Sequence, residues 1–222
     1  EDYVLLRLKV RALYRLVFRN RIMGPFINAV PGLHDLVHLG KLFHLEESRK
    51  RGAPEWDLIL FDAPATGHGL TMLASPQSMM SMTRAGPFYD NAAVVEKLFS
   101  NPQKTRLLLV ANPDEMVINE TLDLYERLGA RREQVDGIVL NECMDDLVNP
   151  TIWKAARAAF NPPSELTELA DAACKRSQAQ TSGDDRLHIQ SGQSIHRLPF
   201  MMSRQLSVAD LEHLGRHLGS VL

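Results

Sequence analysis

The chain has 222 residues, 45% hydrophobic and 23% charged, with a formal net charge of −2. That length suits one sizeable core, or one domain with an inserted subdomain, and the balanced charge excludes the basic surplus of a nucleic-acid-binding protein. The two cysteines, Cys143 and Cys174, exclude a disulfide framework and lack zinc-site spacing, so reduced thiols are expected.

In chain order, residues 2–22 predict a helix, with Val4, Leu5, Leu8, Leu16 and Phe18 apolar and Arg7, Lys9, Arg11, Arg15, Arg19 and Arg21 between them. Such a helix packs on a core with its Arg stems along apolar surface, or lies on a membrane or an acidic partner. Pro31 and Gly32 break the pattern, and a second helix runs to about Glu47. His34 and His38 share a helical face, but no Glu completes a zinc motif. Leu58-Ile59-Leu60-Phe61 is a short apolar run without alternation, which predicts a strand buried on both faces, as in a parallel sheet. It ends on Asp62. A carboxylate at the carboxyl end of such a strand sits where open α/β sheets bind ligands, and there it can hold magnesium through water. Gly67 and Gly69 permit a tight turn and a close approach to a phosphate. The plain alternative is that Asp62 caps the next helix.

Leu70, Met72, Leu73, Met79, Met80 and Met82 follow, interrupted by Pro76, Gly86 and Pro87. They either fill core gaps or form an adaptable binding surface. Residues 91–99 predict a helix. Residues 105–112 predict a second buried strand, ending at Pro113, and Asp114 opens a helix that runs to about Leu128 and stops at Gly129. Residues 135–142 predict a third strand that ends at Asn141, whose amide can both donate to and accept from a nucleobase edge. Its plain role is to cap the loop. Residues 151–180 are helix-prone, broken at Asn161-Pro162-Pro163 and restarted at Ser164. Gln178 to Gly183 reads as a loop. A short strand at His196–Met201 breaks at Pro199, and Ser207 is the candidate cap of the last helix. No uncharged apolar run reaches the roughly eighteen residues of a membrane span and no secretory leader is visible. A cytoplasmic location is expected, with peripheral attachment to a membrane as the further option.

Asp62-Ala63-Pro64-Ala65-Thr66-Gly67-His68 resembles the Asp-Thr-Ala-Pro-Thr-Gly-His signature of the ATPase family that contains the arsenite-pump ATPase and the tail-anchored-protein-targeting ATPase. The likeness is greatest to the bacterial members called anion-transporting ATPases. It departs at Ala63 and Ala65. The Pro31-Gly32-Leu33-His34-Asp35-Leu36 phrase, the Pro113–Thr121 phrase and Asn141 also resemble that family. The resemblance implies a P-loop-NTPase-like α/β fold, with a doubly wound, mostly parallel sheet and helices on both faces. It implies one ATPase-like domain over 1–222, with helical subdomain elements at about 1–50 and 71–103. It implies ATP and Mg2+ as cofactors. Asp62, Thr66, Gly67 and His68 would be the catalytic switch, which senses the γ-phosphate and relays nucleotide state to the helices, with Asp62 reaching magnesium through water. Pro64, Asn141, Leu198, Pro199 and Phe200 would contact the nucleotide, the last four around adenine. The implied partners are a second copy or a related ATPase subunit, and a hydrophobic client or membrane protein.

The 222 residues contain no Gly-x-x-x-x-Gly-Lys loop, whose amides and Lys cradle phosphates. Gly40-Lys41 is followed by Leu42, and Asp35 stands where the first Gly belongs. The resemblance places the P-loop, the first strand and the first switch upstream of Glu1, so that this chain is the carboxyl-terminal part of an ATPase and hydrolyses nothing by itself. There is no Cys-x-x-Cys for a bridging zinc and no thiol trio for arsenite. A rival reading makes the chain a non-catalytic partner without a P-loop, binding a related ATPase or a hydrophobic client. A weaker one places Asp62 and His68 in a hydrolase site that lacks a nucleophile.

Overall fold

The computed structural model describes residues 32–144, 148–160, 162–201, 203 and 205–219. The basic helix expected at 2–22 lies outside the described residues. The chain divides into two compact units, 1–105 and 106–222.

The described residues of the first unit are built on three helices. Helix α1 (Leu33–Glu47) starts after Gly32, whose φ of 78° suits glycine. A two-residue hairpin follows, β1 (Arg49–Lys50) against β2 (Ala53–Pro54). Helix α2 (Thr66–Thr83) carries Pro76 within it, and α3 (Pro87–Phe99) begins on a proline, as first turns favour. Leu36, Leu39 and Phe43 of α1, Met72 and Met79 of α2, and Ala92, Val95, Leu98 and Phe99 of α3 form one core. Met72 and Met79 therefore fill core gaps, whereas Met82 is 59% exposed.

The second unit holds a parallel sheet in the order β3-β4-β5, from β3 (Leu107–Ala111), β4 (Val135–Cys143) and β5 (Ile195–Pro199). Helix α4 (Glu115–Arg127) joins β3 to β4. Asp114 caps it by accepting from the Met116 amide, and Gly129, at φ 56°, ends it as expected. Helices α5 (Pro150–Phe160) and α6 (Ser164–Ser191) join β4 to β5, with the break at the expected prolines. Helix α7 (Val208–Leu218) follows β5 under a full capping box of Ser207 and Asp210. Ile118 and Leu122 of α4 and Leu187 of α6 pack with Ile138 and Leu140 of β4, which puts α4 and α6 on one face of the sheet.

Three expectations are corrected. Residues 58–61 are not a buried strand. They have no regular structure and pair in neither sheet. Leu58, Leu60 and Phe61 are 65%, 75% and 42% exposed. An apolar run becomes a doubly buried strand only where ladder neighbours exist on both sides, and neither described sheet provides them here. β3 is likewise not fully buried. It is an edge strand, paired only with β4 among the described residues, and Leu108 and Val110 are exposed. Gln178–Gly183 is not a loop but the middle of α6. Its polarity is absorbed by burial with partners. Gln180 clamps the Met144 backbone, accepting from its N–H at 2.9 Å and donating to its carbonyl at 3.3 Å. Gly183 lets α6 pass α4 closely, since a Cβ there would lie 2.3 Å from the Ile118 Cδ1.

Among the described residues no helix is long and apolar enough to cross a membrane. Two tryptophans mark the two units. Trp56 is 53% exposed ahead of α2. Trp153 on α5 donates its indole N–H to Asp171 at 2.7 Å, and Arg157 binds the same carboxylate at 2.8 Å.

Candidate functional site

The switch string occupies the approach to α2 and its first turn. Asp62 and Pro64 are exposed. Asp62 has no hydrogen bond or ion pair among the described residues. Thr66 is the first residue of α2, and Ala65 in the cap position offers no side chain to the amides of the first turn, which holds no acidic residue either. Those amides and the positive end of the helix dipole favour an anion. The glycines act differently from expectation. Gly67 and Gly69 are helical and have no positive φ, so they make no tight turn. Gly69 instead permits a close approach, because a Cβ there would lie 2.7 Å from the Pro64 carbonyl oxygen. A Cβ at Gly67 would meet open space, so this side of the first turn is unobstructed.

His68 is the string's link to the helical core. Its Nε2 lies 3.7 Å from Oδ1 of Asp35, an ion pair when the imidazole is protonated. The Asp35 side chain is only 11% exposed and stands in the first turn of α1. Four residues on, Leu39 is fully buried in the core shared by α1, α2 and α3, one turn further along α1. Sequence reasoning missed Asp35 as a partner. Its signal was there, in the Pro31–Leu36 phrase, but periodicity cannot say which residue of another helix it faces.

The other candidate residues lie in the second unit, at the carboxyl ends of its strands. Asn141 is half-buried near the end of β4, with no hydrogen-bond partner among the described residues. Pro199 closes β5 and pairs in register with Cys143. Phe200 is 44% exposed, and its amide donates to the Cys143 carbonyl at 2.8 Å. Leu198 is 9% exposed, a buried side chain beneath this edge. The structure thus brings Asn141, Pro199 and Phe200 to one end of two adjacent strands. Asp62, Pro64, Thr66, Gly67 and His68 stand together in the first unit.

Beneath the sheet end lies a polar cluster that the sequence did not announce. Arg197 donates to Asp184 Oδ2 at 2.9 Å, while the buried Oδ1 has no partner among the described residues. Burial pushes the Asp184 carboxyl above its ordinary value, against the pull of Arg197. Burial likewise pushes the Cys143 thiol up, again opposed by Arg197. The thiol is therefore protonated at neutral pH and donates to the Leu140 carbonyl at 3.4 Å.

A parallel three-stranded sheet with α4 and α6 on one face makes the second unit an α/β structure, and open sheets of that class bind ligands at the carboxyl ends of their strands. Comparisons with known proteins show what the chain is similar to. A profile of the anion-transporting ATPases matches residues 80–160, which of the predicted site residues include Asn141. ATPase BagA of Mycobacterium tuberculosis is 26% identical over 155 residues, covering 69% of this chain and 45% of its own length. ATPase GET3 of Lodderomyces elongisporus is 24% identical over 189 residues, covering 66% and 54%. An arsenical pump-driving ATPase of Acidiphilium multivorum is 28% identical over 138 residues, covering 51% and 23%. The chain is similar to these ATPases over part of its length, and it spans about half or less of theirs.

Proposed function

We propose that this chain is the switch-bearing and base-reading portion of an ATP-binding, ATP-hydrolysing subunit of the arsenite-pump and GET3 type. In this reading it couples nucleotide state to the helices of the first unit. The sheet is doubly wound in the whole protein. The partner is a second copy or a related ATPase subunit, and the helices receive a hydrophobic client or a membrane protein.

The observation that supports this reading is the placement of the switch string. An exposed carboxylate, Asp62, precedes an uncapped helix start, and that same first turn is joined through His68 to Asp35 of α1, 3.7 Å away. The residues fit a magnesium–phosphate group. A lone carboxylate acting through water suits magnesium, which keeps most of its own water shell, and the open side at Gly67 leaves room for phosphate. Magnesium bound with the triphosphate supplies neutralisation of phosphate charge. The chain's own residues do the rest. Asp62 accepts hydrogen bonds from the water shell. The amides at Thr66 and Gly67 face the phosphate side. His68 carries any shift of that turn to Asp35 and hence to the three-helix core. Asn141 reads the base edge, and Pro199 and Phe200 cover its ring.

The test is steady-state ATP turnover by the protein as its gene encodes it, with and without Asp62→Asn. Loss of a group that orients a metal's water shell lowers activity roughly 10- to 100-fold. Undiminished turnover in the variant removes Asp62 from the mechanism. A parent with no turnover that forms a stable complex with a P-loop-bearing homologue favours the non-catalytic partner instead.

A further inference from the structure

The end of β4 departs from a regular ladder at one place. Leu140 pairs with Arg197 and Cys143 with Pro199, so Asn141 and Glu142 together oppose the single residue Leu198. Glu142 adopts φ 59°, a left-handed conformation that a residue with a long side chain keeps only where its surroundings hold it. The extra residue is a bulge, the kind of irregularity that re-aims a neighbouring side chain and gathers near ligand sites.

Three contacts hold the bulge. The Cys143 thiol turns back to the Leu140 carbonyl at 3.4 Å. The Phe200 amide donates to the Cys143 carbonyl at 2.8 Å. Across the sheet, the Asn112 side-chain amide, just past the end of β3, donates to Glu142 Oε2 at 3.1 Å. The first two contacts each end on a backbone carbonyl that flanks the bulge. The third is a dedicated side-chain pair between exposed residues, and burial does not account for it.

We propose that Asn112 and Glu142 form a positioning pair that fixes the bulge, sets the place of Asn141 beside Phe200, and thereby determines which nucleobase the sheet end accepts. The proposal rests on the reading of Asn141, Pro199 and Phe200 as the base-contacting edge. Neither residue of the pair touches the base. Their contribution is selectivity, because a carboxamide that can flip exchanges its donor and acceptor and accepts a guanine edge as readily as an adenine edge, whereas one held in place does not.

The experiment is fluorescence titration of the full-length protein with mant-labelled ATP and mant-labelled GTP. The readout is the ratio of the two affinities. Loss of stability alone weakens both nucleotides together and leaves that ratio unmoved. Asn112→Ala removes the donor. Glu142→Gly removes the acceptor and is at ease with positive φ, so the variant adds no backbone strain. Each is expected to lower the preference for ATP about threefold to tenfold, the scale of one lost hydrogen bond. Glu142→Gln, which keeps an acceptor oxygen, stays near the parent, and the double variant Asn112→Ala/Glu142→Gly loses no more than either single one. An unchanged ratio in both single variants, or losses that simply add, overturns the pair while the base-reading edge stands. A parent with no preference between the two nucleotides overturns the edge and the pair together.

Discussion

Residues 58–61 and residues 138–140 are alike as sequence. Each is a short run of Leu, Ile, Val or Phe, without alternation, that leads to a polar residue of functional type, Asp62 in one case and Asn141 in the other. Their structures are opposite. Ile138 and Leu140 are fully buried, with β3 and β5 on either side and α4 and α6 above. Leu58 and Leu60 are mostly exposed and unpaired. Composition sets what a segment can bury, and the ladder partners on its two edges set whether it does. The polar residue inherits the difference. Asn141 is carried on a paired strand, while Asp62 sits on an unpaired stretch that passes close to Gly69 at the Pro64 carbonyl and is followed by the His68–Asp35 contact.

The sharpest way to break this contrast is to truncate the buried run. Leu140→Ala is expected to cost about 2–5 kcal/mol in chemical denaturation, the range for an aliphatic side chain removed from a closed core. A smaller loss than that of a surface change would mean the sheet core is not where it is placed here. A middle-sized effect concerns the ion pair beneath the strand end. The folded state holds the Asp184 proton more tightly than the unfolded chain does. Its contribution to stability is therefore full below the ordinary aspartate range and is lost as pH rises through the raised value. Asp184→Asn retains an oxygen for Arg197 and removes the titration. Relative to the parent, the variant gains stability across that window, read as denaturation midpoints from acid to neutral pH. Parallel curves for the two proteins would remove Asp184 as the source. The smallest expected effect is at the exposed run. Leu60→Ala changes stability within about 0.5 kcal/mol, as surface substitutions do. A loss as large as that of Leu140→Ala would show that residues 58–61 are buried in the working protein, and the contrast between the two runs would disappear.

Much of the scaffold was legible from local chemistry. The turn at Gly129, the restart at Ser164, the cap at Ser207 and the strand ending near Asn141 each rest on residues adjacent in the chain, and the structure agrees at each. What escaped depends on residues distant in sequence. Gln178–Gly183 read as a loop because its polarity was visible, while its partners, the Met144 backbone and Ile118, were not. Asp35 and Asn112 are in the same position. Nothing near them in sequence says that one faces His68 and the other Glu142. The bulge at Glu142 left no trace in the apolar pattern, since an inserted residue at a strand's end shifts nothing after it. The polar string at 62–68 announced itself chiefly by resemblance to a family signature. Periodicity alone offered a strand that the structure does not contain.

The placement of the two tryptophans has an optical consequence. Trp56, largely solvated, stands on the stretch leading to Asp62, and Trp153 is fastened to Asp171 in the other unit. Within these residues each unit thus carries one intrinsic fluorophore, and the two differ in surroundings. Exchange of Trp153 for Phe silences the second unit and leaves the emission maximum and quenching of Trp56 as a label-free record of the stretch ahead of α2. The same protein read through Trp153 alone follows the α5–α6 corner, so a spectral change can be assigned to one unit without any added dye.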